Sequence, residues 1–88
     1  MLTMCMAAEW SQHGVLVNAV GPGFTRTEFS RPIWSQPGVE EMIASRVPMG
    51  RIAEPRDIVG TVLFLCSEAS GFITGQSIYV DGGAMATT

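Results

Sequence analysis

The 88 residues predict an α/β fold in which the chain forms part of a doubly wound parallel sheet. Three observations point there. Val15, Leu16, Val17, Ala19 and Val20 make a near-continuous apolar run, the pattern of a parallel strand covered on both faces. Gly21, Pro22 and Gly23 stop that run with a sharp turn, at the strand end where open α/β sheets bind ligands. A helix-forming stretch and a short strand from Ser77 to Val80 come after it, and strand, helix, strand gives a parallel pair by a right-handed crossover.

Met1 to about Gln12 is rich in Leu, Met, Ala and Glu, without glycine or proline, and predicts a helix. Leu2, Met6 and Trp10 share one face of it, with Cys5 beside them. No capping residue precedes it. Gly14 suits the left-handed position that ends a helix, and His13 is read as an exposed capping histidine. After the strand come Thr25, Arg26 and Thr27, two hydroxyls and a guanidinium at the turn. Glu28 to Ala53 is punctuated by Pro32, Pro37-Gly38, Pro48 and Gly50. Within it Val39 to Val47 can form a helix, and Phe29, Ile33 and Trp34 suggest a second short turn. So long an insertion is either a lid over a site or a flap packed on its own core.

Glu54-Pro55-Arg56-Asp57 is the clearest helix start, with proline at the first helical position and an acid in the first turn. This helix runs to about Ser67 and leaves almost no polar face between Ile58 and Cys66, so cover on two sides is expected. Two strands with about three helices leave sheet edges and most of one face unpartnered, and the chain reads as part of something larger.

Composition narrows the function. A net charge of −3, from five arginines, no lysine and eight acids, provides no basic footprint for nucleic acid or anionic lipid. Cys5 and Cys66 form neither a zinc pattern nor a disulfide framework and are expected as buried, reduced thiols; no metal site is expected. The apolar run at 58–66 is about nine residues against the roughly 20 of a membrane span. Glu9 interrupts the N-terminal apolar run, which also lacks a basic start, so no signal peptide is read and a cytoplasmic protein is expected.

The blocks MLTMCMAAEW, GVLVNAVGPGFTRT and RVPMGRIAEPRDIVGTVLFLCSEASGFITGQSIYVDGG, in that order, resemble the C-terminal third of a short-chain dehydrogenase/reductase across essentially the whole chain. The family's Asn-x-x-x-Pro-Gly pattern falls on Asn18, Pro22 and Gly23, and its subsequent threonine on Thr27. Its late signature falls on Gly75, Gln76, Val80, Asp81, Gly82 and Gly83. The resemblance implies a Rossmann-like sheet, with residues 1–88 as the C-terminal segment of one dinucleotide-binding domain. It implies NAD or NADP as cofactor, with Pro22 and Gly23 along the nicotinamide ring and Thr25 and Thr27 on its carboxamide and the nearby phosphate. Asn18 is expected to be structural. Phe29, Trp34 and Met42 resemble the substrate lid; the helix from Pro55 and the strand at Ile78 resemble a subunit interface of an oligomer.

Departures are equally informative. The family's glycine-rich phosphate loop is absent, since Gly21-Pro22-Gly23 is no G-x-G-x-x-G. The catalytic Tyr-x-x-x-Lys pair is absent too: there is no lysine, and Tyr79, the one tyrosine, falls in the last strand as core or interface. In the family that pair lies just upstream of the LT matching Leu2-Thr3. No residue of this chain is therefore expected to be catalytic, and the 88 residues alone are expected to be inactive. The resemblance implies a C-terminal fragment of an oxidoreductase transferring hydride between a nicotinamide cofactor and an alcohol or ketone, with a sugar acid or polyol favoured and 3-oxoacyl carrier-protein substrates next. The alternative is a non-catalytic module that associates with full-length relatives.

Overall fold

In a computed structural model, which describes residues 1–87, the chain is drawn out to 51 × 25 × 21 Å. Its radius of gyration is 15.7 Å, against about 12 Å for a compact domain of this length. The cause is visible in the packing. Among the described residues only Ala7, Ile52 and Ser70 are buried, so the apolar content is largely uncovered.

Helix α1 spans Leu2–Trp10 and tightens into a 3-10 turn at Ser11–His13. Gly14 ends it at φ 78°, with its N–H on the Ser11 carbonyl, the left-handed termination expected from the sequence. The expected stripe does not face a core. Leu2, Cys5 and Trp10 are exposed, and α1 buries Ala7, whose methyl lies against Gly75. Cys66 is exposed as well, so both thiols depart from the buried reading, because no second layer covers the helices that carry them.

Strand β1 is Ala19–Pro22, shorter than the apolar run beginning at Val15, and Val15 and Leu16 are exposed. Asn18 explains the late start. Its Nδ2 donates to the Ile73 carbonyl at 3.0 Å and its Oδ1 accepts the Gln76 N–H at 3.0 Å, so a side chain stands where a backbone ladder would run. Thr74 does the same for the Val17 N–H, at 2.9 Å. The asparagine is structural, as expected.

Strand β2, Ser77–Val80, pairs in parallel with β1 in the register Ala19↔Ser77 to Pro22↔Val80. These two form the sheet among the described residues. A sheet of two strands cannot bury β1 on both faces, and its residues are half-buried or exposed. Between the strands lie α2 (Arg31–Trp34), α3 (Val39–Ala44) and α4 (Pro55–Leu65). Helix α4 opens with Pro55 in its first turn and a reciprocal capping box between Glu54 and Asp57. It ends where the Ser70 hydroxyl donates to the Leu65 carbonyl at 3.0 Å. Val59, Val62, Leu63 and Phe64 stay exposed on it.

Candidate functional site

The C-terminal end of β1 runs into a second, single-residue parallel pairing. Arg26 N–H donates to the Ala53 carbonyl at 2.7 Å and Ala53 N–H to the Phe24 carbonyl at 2.9 Å, which bridges Thr25 to Ala53. Residues 23–27 are thus an extended strip held on one side by β2 and the stretch before α4.

Each expected site residue has a definite place on this strip. Pro22 is exposed at the strand end. Gly23 donates to the Val80 carbonyl at 3.0 Å. A Cβ there would sit 3.0 Å from both Cα and Cβ of Asp81, so this glycine permits close approach of the chain's own β2 end. Gly21 has a related task, since a Cβ would come within 2.7 Å of the Tyr79 ring. Tyr79 is accordingly a strand residue laid against β1 and half-exposed.

Thr25 Oγ1 donates to the Gly23 carbonyl at 2.9 Å, while the Thr25 N–H meets no acceptor among the described residues. Ser30, which has no signal of its own in the sequence, organises the turn beyond Thr25. Its hydroxyl donates to the Thr25 carbonyl at 2.7 Å and accepts the Thr27 N–H at 3.0 Å. Thr27 Oγ1 in turn accepts the Ser30 N–H at 3.1 Å. Because the hydrogen of Ser30 is committed to Thr25, the Thr27 hydroxyl hydrogen points to Ser30 Oγ at 3.1 Å or turns to an incoming acceptor. Thr25 thus keeps an N–H with no acceptor among the described residues, and two residues on the Thr27 hydroxyl can donate, a donor pair suited to an amide or phosphate oxygen.

The lid residues are placed differently from one another. Trp34 is tied down, with its indole N–H on the Thr27 carbonyl at 3.0 Å and its ring 4.9 Å beneath the Arg26 guanidinium. Phe29 is 97% exposed and Met42 53%, so both side chains stand largely in the open. The Arg26 guanidinium, read from sequence only as part of a polar run, reaches Glu40 at 2.5 Å and Glu54 at 3.2 Å.

Where the strip meets the end of β2 and the stretch before α4, a groove of about 190 Å³ is lined by Gly23, Phe24, Val47, Met49, Asp81 and Gly82, among others. Arg51 and Asp57 stand at it as a two-pronged pair, 2.8 and 3.2 Å apart. The Arg51 guanidinium, with the Glu54 N–H at 2.8 Å, holds the Asp57 carboxyl down to about 2, and the same hydrogen bond raises the Arg51 pKa. Pro22, Thr25, Thr27, Phe29, Trp34 and Met42 do not line this groove. No group of three or more potential metal ligands occurs among the described residues.

Comparison with known proteins is consistent with this geometry. A family model described as enoyl-(acyl carrier protein) reductase matches residues 1–85. A tropinone reductase homologue of Arabidopsis thaliana is 45% identical over 78 residues, 89% of this chain and 30% of the relative. L-xylulose reductase of Mus musculus is 44% identical over 87 residues, 99% of this chain and 36% of the relative. The crystal structure of a gluconate 5-dehydrogenase from Burkholderia cenocepacia in complex with NADP and tartrate superposes with a TM-score of 0.93 at 34% identity, covering 100% of this chain and 34% of that one. The chain thus spans about a third of the length of the relatives it matches.

Proposed function

Since the chain belongs to the short-chain dehydrogenase/reductase family, we propose that it is the C-terminal part of an oxidoreductase that transfers hydride between NAD or NADP and an alcohol or ketone. Pro22, Gly23, Thr25 and Thr27 form the nicotinamide-side wall in this reading. The observation that carries it is the strip beyond β1, where the Thr25 N–H meets no acceptor among the described residues and the Thr27 hydroxyl can donate. When bound, the cofactor supplies the hydride; the residues present here hold and orient it through hydrogen bonds from the strip. Phe29, Trp34 and Met42 belong to the substrate lid, and sugar acids or polyols are the favoured substrates. The relatives named L-xylulose reductase and gluconate 5-dehydrogenase support that preference.

The reading makes the 88 residues incompetent by themselves, because they contain no lysine and no tyrosine outside β2. An NMR titration with NADPH tests it. Shifts centred on the Thr25 and Thr27 amides are expected, without oxidation of NADPH by any carbonyl compound. Turnover by this chain alone, or shifts confined to the groove at Val47 and Met49, would overturn it.

A second reading, a non-catalytic module that joins full-length relatives or a second copy, is supported by the exposed apolar side chains Val59, Leu63 and Phe64 of α4. Sizing the chain alone and with a full-length relative separates the two readings. Among the described residues no helix is long and apolar enough to cross a membrane, and a cytoplasmic location belongs to the same proposal.

A further inference from the structure

We propose that Arg26 is a positioning residue that latches the lid helices α2 and α3 to the strip bearing Thr25 and Thr27, so that the lid and the candidate cofactor surface order together; its functional meaning rests on the cofactor reading above. The backbone of Arg26 is fixed by its 2.7 Å bond to Ala53. From that fixed point one guanidinium meets three elements at once: the Trp34 ring of α2 at 4.9 Å, Glu40 of α3 at 2.5 Å and Glu54 at the cap of α4 at 3.2 Å. A planar guanidinium can stack on a ring while its edges face two carboxylates, which an ammonium cannot do.

The lid needs such a device. Helices α2 and α3 have four and six residues and bury no residue fully, whereas isolated helices shorter than about 12–15 residues are marginal in water. Apart from the Arg26 cluster, α2 is tied to the strip by the indole N–H of Trp34 on the Thr27 carbonyl and, at its N-cap, by Ser30 on Thr25 and Thr27. All of these ties land within the Thr25–Thr27 segment, but those of Ser30 hold only the N-cap residue of α2 and none reaches α3. Without the cation, Glu40 and Glu54 are two like charges facing one space.

Hydrogen exchange of the full 88-residue chain, read by mass spectrometry, tests the latch. Each contact is partly exposed, so the combined effect is modest: Arg26→Met is expected to speed exchange of residues 30–45 about fivefold, with residues 68–80 unchanged. Arg26→Lys, which keeps the charge and the backbone bonds, is expected to fall between. Glu40→Gln is expected to speed lid exchange in the parent chain but not on top of Arg26→Met, because the two share one interaction. Unchanged lid exchange in Arg26→Met, a parallel rise at 68–80, or full additivity with Glu40→Gln would overturn the latch. With NADPH as the probe, slower exchange at both 23–27 and 30–45 supports the coupling, and slowing at 23–27 alone overturns it. No slowing anywhere counts against the cofactor reading, and the variants still decide the latch.

Discussion

Replacing Gly23 with alanine puts one methyl group into the tightest backbone contact of the candidate site. The new Cβ would lie 3.0 Å from both Cα and Cβ of Asp81 and 3.6 Å from its carbonyl oxygen, where carbon atoms prefer about 3.5–4.0 Å. Neither side yields easily. Gly23 is held by the Val80 carbonyl at 3.0 Å, and the Asp81 carboxylate is anchored by the Gly83 and Met85 N–H groups at 3.0 and 2.9 Å. Overpacking of this kind costs about 1–3 kcal/mol. Gly23 does not have positive φ, so alanine also stiffens the unfolded chain, which offsets about 0.4–1 kcal/mol. The net expectation is a loss of about 1–2 kcal/mol and a fall in Tm of roughly 5–15 °C for a chain of this size. Thermal and urea denaturation followed by circular dichroism measure it without cofactor. An unchanged midpoint would show that the strand ends are free to part, and that this glycine is required only by a ligand.

Two further outcomes rest on the same geometry. Gly60→Ala, at an exposed mid-helix position of α4 with no heavy atom within 4 Å of the added Cβ, is expected to stabilise by about 0.5–1 kcal/mol; a lower Tm would mean that another surface packs on that face. The Asp57 carboxyl titrates near 2 when folded against 3.8 for the free group, so its stabilising contribution is complete above about pH 4 and is lost as the pH falls towards 2. Asp57→Asn should therefore lower Tm at pH 7 and leave it little changed near pH 2. An equal loss at both values would mean that shape, not charge, supports the pairing of Arg51 with the cap of α4.

Much of this chain is legible in local chemistry. Left-handed backbone at Gly14, proline in the first turn of α4 and the acid at Asp57 in that same turn depend on neighbours within a few residues, and the sequence places each where it is observed. The strand Ser77–Val80 and its parallel partner are legible for the same reason, as short β-branched and apolar runs bounded by turn residues. The family, too, is legible in ordered blocks that span the chain.

Tertiary structure decided the rest, because contacts between residues far apart in sequence have no local signal. Asn18 shortens β1 by bonding to residues more than fifty positions away. Gly23 looks in sequence like room for a ligand, and a second requirement comes from far along the chain, since a Cβ there would lie 3.0 Å from Asp81. Arg26 looks like one polar residue in a loop, and it gathers Trp34, Glu40 and Glu54, the second of these fourteen residues on. Hydrophobic pattern alone could say which side chains should be covered, not whether this length of chain covers them. A two-stranded sheet has too few neighbours to bury Val15, Leu16 or the apolar face of α4, and that shortage arises from the geometry of the sheet rather than from any residue in it.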